Sequence, residues 1–142
     1  MTPKNTSLLR RFAAIVYDTL LIFAFLVILA ILANSVLGGE NVYAGGPVFV
    51  RAYNAVRFLV IFLFFVIYWS TRGRTLGMQS WGLQLQTTDG QIPSLSTASI
   101  RFFAAIISWL PLGLGFVWQL WDKDKLTWHD RISGTRLVYY PK

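Results

Sequence analysis

The sequence predicts an all-α membrane protein: two transmembrane helices, a third hydrophobic element that is broken (re-entrant or kinked), and short cytoplasmic strand and loop segments. Three observations predict it. Of the 142 residues, 55% are hydrophobic and 13% charged, about half the charge of an ordinary soluble domain. The apolar residues gather into three runs. The Lys and Arg residues, thirteen against six Asp and Glu, flank those runs, as expected where cytoplasmic segments collect positive charge. The length suits one domain over residues 1–142.

The first run, 12–37, carries one charge, Asp18. About 20 apolar residues at 1.5 Å each cross a hydrocarbon core of roughly 30 Å, so this run is long enough to span. A secretory signal has an apolar region of only about 7–15 residues, which predicts a retained helix. The second helix is expected over 50–70. Its centre, Phe58 to Trp69, is densely apolar, and its outer turns hold Arg51, Asn54 and Arg57. Tyr68 and Trp69 suit an aromatic belt at the interface. The third run, 100–121, is interrupted by Pro111-Leu112-Gly113-Leu114-Gly115. Proline removes a backbone donor and glycine weakens helix continuation. Each half is too short to span alone.

Charge placement favours a third run that returns. With the N-terminus, the 71–99 loop with the adjoining Arg101, and the 122–142 tail all cytoplasmic, eleven Lys and Arg lie inside and two outside. A crossing third run would leave six inside and seven outside, without bias. The expected place is a cell inner membrane, multi-pass, with a cytoplasmic N-terminus. Leu83-Gln84-Leu85-Gln86 alternates as a strand does, with Thr88-Asp89-Gly90 as a turn. Thr135 to Tyr140 is a second strand candidate after Gly134. Their pairing needs both on one side of the membrane. Gly73 to Trp81 suits a short interfacial helix.

Several function classes lose support. There is no cysteine and a single histidine, so neither a Cys-based site nor a His-rich metal site is expected. No phosphate-binding glycine motif and no nucleophile constellation is present. No cofactor, no metal and no enzymatic activity are expected. The basic balance does not imply nucleic acid, because its residues sit where the topology rule and anionic lipid already explain them.

Arg11-Phe12-Ala13-Ala14-Ile15-Val16-Tyr17-Asp18 resembles the opening of the RDD family of small membrane proteins. The order of Gly73-Arg74-Thr75-Leu76-Gly77-Met78, Gly82-Leu83-Gln84-Leu85, Asp89-Gly90 and Arg101 is similar to that family's loop. Met78 stands where the family often has lysine. The ending Trp128-His129-Asp130-Arg131-Ile132-Ser133-Gly134-Thr135 resembles its closing signature. The resemblance implies that Arg11 and Asp18 are the arginine and first aspartate of the family's name. The second aspartate is then Asp130, with Asp122 as alternative. Some members are described as sodium–proton antiporters, and others look like accessory subunits.

The candidate site follows from charge in an apolar setting. An ionised carboxylate within a spanning helix costs on the order of 2.5–3.5 kcal/mol on insertion scales, so such residues face protein and have partners. Asp18 is therefore either an ion- or proton-exchanging group or a structural pair. Arg11 shares its helix face, but helical side chains lean toward the N-terminus, which predicts a snorkelling anchor for Arg11. The expected partner of Asp18 is Arg101, or a network through Asp130; Arg131 and Arg136 are further candidates. His129 beside Asp130 suits a proton relay or an ordinary interface group. Ala13 and Ala14 would permit close approach beside Asp18. Two functions compete: a homo-oligomeric antiporter for a monovalent cation and a proton, or a membrane scaffold that joins a membrane protein partner within the lipid bilayer.

Overall fold

The computed structural model describes residues 4–37 and 42–140; Lys142, counted in the charge tally, lies outside them. A two-residue strand β1 (Lys4–Asn5) leads into helix α1 (Leu8–Val36). A 3-10 turn (Val42–Gly45) precedes helix α2 (Gly46–Arg72). Short helix α3 (Leu76–Ser80) and strand β2 (Leu83–Thr87) follow. Helix α4 (Leu95–Trp109), the one-turn helix α5 (Leu114–Val117) and a 3-10 turn (Trp118–Leu120) make up the third apolar element. Helix α6 (Trp128–Ser133) and strand β3 (Thr135–Tyr139) close the chain.

Helices α1 and α2 have 29 and 27 residues. At 1.5 Å per residue they measure roughly 43 and 40 Å, enough to cross a bilayer core. Both begin earlier than expected: α1 takes in Leu8 to Arg11 and α2 takes in Gly46 to Phe49. The buried residues of α1 are Arg11, Ala14 and Asp18. Their spacing of three and four puts them on one stripe. The large apolar side chains of the same helix, among them Leu20, Phe23, Ile28 and Leu32, point outward. That inverts the pattern of a water-soluble helix, and it is what a helix in lipid needs.

The third element is broken as its sequence predicts. Helix α4 stops at Trp109, Pro111 follows, and Gly113 has φ 80°. The pieces on either side differ in direction by 108°. The break differs from two equal halves. Ser94 caps α4 by accepting from the Thr97 N–H, which moves its start to Leu95, and only one helical turn forms beyond the break.

The small sheet fixes which way this element goes. Its strand order is β1-β3-β2, all antiparallel. Leu83 pairs with Tyr139 and Thr87 with Thr135, while Asn5 pairs with Val138. The strands come from before α1, after α2 and the end of the chain. All three lie at one end of the two long helices, so the third element returns to the side from which it started. Thr6 Oγ1 donates to the Leu137 carbonyl at 2.9 Å, and Gln119 Nε2 donates to the Thr6 carbonyl at 2.9 Å. The first bond ties the start of the chain to its tail, and the second ties it to the third apolar element. The hydrophobic core gathers at the same end: Ala14, Val66, Trp69, Met78, Leu83, Leu85, Ala98, Phe102 and Leu137.

Candidate functional site

Two local signals position the central carboxylate. Thr127 caps α6 by accepting from the Asp130 N–H, and the Asp130 carboxylate returns to the Thr127 N–H at 3.1 Å. This capping box satisfies two otherwise orphaned donors and fixes the side chain at the helix start. Gly134, at φ 62°, ends α6 and turns the chain into β3; a left-handed residue there favours glycine.

Asp130 is fully buried between two arginines. Arg11 Nη2 lies 2.8 Å from Oδ2 and Arg101 Nη1 lies 2.7 Å from Oδ1. Arg101 Nη1 also donates to Thr135 Oγ1 at 2.7 Å, and its guanidinium stands 5.4 Å from the centre of the Trp69 ring. The knot therefore joins α1, α4, α6 and β3, with α2 packed against it. Burial alone would raise the Asp130 carboxyl, but the charges of Arg11 and Arg101 hold it far below the usual carboxylate range.

His129 sits beside this knot, buried and packed under Phe116 at 4.5 Å between ring centres. Nδ1 is 3.2 Å from Ser108 Oγ, and Nε2 is 3.0 Å from Thr127 Oγ1. Ser108 commits its hydrogen to the Ala104 carbonyl, so it accepts from Nδ1–H. Thr127 then donates to Nε2. Each group has one role, and the ring is neutral. Burial first, and the nearby Arg101 charge second, push its pKa well below 6.5.

Asp18 has different partners from those expected. Its Oδ2 accepts from the Thr75 hydroxyl, and its Oδ1 accepts from the Gly77 N–H at 2.9 Å. Thr75 in turn accepts from the Met78 N–H as the cap of α3. The carboxylate thus pins α3 against α1. A Cβ on Gly77 would stand 2.3 Å from the Ala14 carbonyl oxygen and 2.9 Å from Asp18 Cγ, so only glycine allows this approach. Ala14 supplies the small surface on the α1 side, as its size suggests.

Three expectations therefore need correction. The Asp18–Arg101 pair does not form; among the described residues Asp18 has no ion pair. The network through Asp130 does form, but it joins Arg101 to Arg11. Arg11 is not a snorkelling anchor: only 3% of its side chain is exposed. Its guanidinium meets Asp130 of α6 instead. Asp122 belongs to a separate surface turn. It accepts from the N–H groups of Leu126 at 2.9 Å and Asp124 at 3.1 Å, and from Arg131 Nε at 2.9 Å. The Leu126 N–H in particular lowers its pKa. Arg131 is thereby used at Asp122 and Asp124, away from Asp18, and Arg136 projects outward from β3. Thr75, Gly77, Ser108, Thr127 and Thr135 were not foreseen as site residues.

Above the knot lies a half-open cavity of about 380 Å³. Its walls are Ile15 of α1, Phe58, Ile61 and Phe65 of α2, and Phe102, Ala105 and Ile106 of α4. Arg11, Asp18, Trp69, Arg101 and His129 also line it. Among the described residues, no group of three or more His, Asp or Glu side chains is arranged to hold a metal ion.

The model of the RDD family matches residues 6–134, nearly the whole chain. No curated protein and no solved structure matches it. The match takes in Arg11, Asp18 and Asp130 together.

Proposed function

The chain belongs to the RDD family, and on that premise we propose that this small membrane protein is a non-catalytic scaffold or accessory subunit. One observation carries the reading: the buried carboxylates are engaged by fixed partners. Asp130 is held by two arginines and its own cap. Asp18 is held by a hydroxyl and a backbone N–H. Groups so constrained specify how elements pack, a known use of buried polar residues. The outward apolar face of α1, including Leu20, Phe23, Ile28 and Leu32, suits lipid, a second copy or a membrane protein partner. The positive-inside rule assigns the sheet end, with Arg10, Arg72, Arg74 and Arg136, to the cytoplasm, and Arg51 and Arg57 to the opposite side. A cell inner membrane is the corresponding location.

Cation–proton antiport is the second reading. It is favoured by Asp18, which lines the cavity without a cationic partner among the described residues, since intramembrane carboxylates are functional candidates by default. Against it, that cavity is walled mainly by apolar side chains, which suits hydrated ions poorly. Reconstituted proteoliposomes under a sodium or pH gradient separate the two. The scaffold reading expects no cation-coupled proton movement from the wild-type protein. Flux that disappears in Asp18→Asn would overturn it in favour of antiport.

A further inference from the structure

The Arg11–Asp130–Arg101 knot is unbalanced. Two guanidinium groups share one carboxylate, and the neighbouring His129 is neutral. Arg11 uses Nη2 on Asp130, and Arg101 uses Nη1 on Asp130 and Thr135. Arg11 Nε and Nη1 and Arg101 Nε have no acceptor among the described residues, and neither does Trp69 Nε1. All three residues line the same cavity. Buried donors without acceptors are costly and call for an explanation. Asp18 does not supply one: its oxygens accept from Thr75 and Gly77, and none of these donors reaches them.

The rest of the cavity has the opposite character. Phe58, Ile61, Phe65, Phe102, Ala105 and Ile106 form its walls, on helices whose outer surfaces are themselves apolar. Its volume of about 380 Å³ falls within the range of ligand pockets, roughly 300–1,000 Å³. An apolar cleft that ends at two arginines and a tryptophan with unpaired N–H donors, beside an Asp18 carboxylate already engaged by Thr75 and Gly77, fits one class of molecule. We propose that the cavity binds an acidic amphiphile: an anionic head, carboxylate or phosphate, accepts from Arg11, Arg101 and Trp69, and a hydrocarbon chain lies along Phe58, Phe65, Phe102 and Ile106. Guanidinium forks suit both oxyanions. A free fatty acid and an anionic phospholipid share this chemistry.

The test uses the full-length protein in zwitterionic nanodiscs. Amphiphiles brominated on the acyl chain quench tryptophan fluorescence on contact. Brominated oleic acid and brominated phosphatidylglycerol should each quench a saturable component, and brominated phosphatidylcholine should not. That component should shrink in Trp69→Phe and vanish when Trp109, the second tryptophan lining the cavity, is also replaced by Phe. The relative affinities of the two acidic probes identify the source of the natural ligand. Ala105→Phe narrows the cavity without touching a charge, and it should weaken binding at least tenfold while leaving thermal unfolding unchanged. Arg101→Lys retains a cation but has fewer donors, and should weaken binding less than Ala105→Phe. Equal quenching by phosphatidylcholine, full competition by inorganic phosphate alone, or unchanged binding in Ala105→Phe would each overturn the proposal. None of these results depends on whether the protein acts as scaffold or antiporter.

Discussion

Asp130→Asn is the most informative substitution at the knot. Asparagine has nearly the same shape, and its carbonyl oxygen can still accept from the Thr127 N–H, so the α6 cap survives. The charge does not. Arg11 and Arg101, at 2.8 and 2.7 Å, would be left buried with no counter-charge. Breaking a buried ion pair by removing one partner costs about 3–5 kcal/mol. Retention of the cap keeps a further contribution of about 1 kcal/mol out of the difference. Equilibrium unfolding in mixed micelles, followed by tryptophan fluorescence, should show a loss of about 3–5 kcal/mol. A triple variant, Arg11→Met, Arg101→Leu and Asp130→Leu, should recover much of it, because replacing a whole buried network by apolar groups is often neutral. A loss below about 1 kcal/mol in Asp130→Asn would refute the argument, since the arginines would then have another counter-charge or access to water.

Other outcomes follow from the same contacts. In a double-mutant cycle, Asp18→Asn and Arg101→Met should be additive within about 0.5 kcal/mol, as expected for residues that share no partner; Arg101→Met with Asp130→Asn should be strongly non-additive. Gly77→Ala should destabilise by about 1–3 kcal/mol, the cost of overpacking, as measured by the same unfolding assay, because its Cβ would meet the Ala14 carbonyl at 2.3 Å. Stability should also fall on acidification. His129 is depressed in the folded state, so the unfolded chain takes up its proton first and stability declines as pH drops below 6.5. Asp130, also depressed, adds a further decline below about pH 3.8. In a pH series of unfolding midpoints, His129→Gln should flatten the first decline and leave the second.

Much of this arrangement could be read from the residues. The lengths of the apolar runs gave two spanning helices, and Pro111 with Gly113 gave the break. The Leu83-Gln84-Leu85-Gln86 alternation and the segment after Gly134 gave β2 and β3, and the returning tail followed from charge placement. The pairing of the site was less legible. The direction in which Arg11 leans follows from helix geometry, but what it meets depends on where α6 docks. Thr127-Trp128-His129-Asp130 has the spacing of a capping box, a signal that would have placed Asp130 at a helix start. Thr75 has the same capping role without an acidic residue three positions later, so its use by Asp18 left no comparable trace. Gly77 reads as ordinary loop glycine until the 2.3 Å approach is known. Long-range partners of a buried carboxylate depend on tertiary contact, and local spacing does not encode that.

The central claim is that the tail folds back beneath the first helix and delivers Asp130 to Arg11. The β1–β3 register tests this directly, because Asn5 pairs with Val138 and the chain contains no cysteine. In native membranes, Asn5→Cys with Val138→Cys should form an intramolecular disulfide under mild oxidation, with both thiols labelled from the same side before oxidation. Thiols that label from opposite sides of the membrane, and that do not cross-link within one chain, would contradict the account.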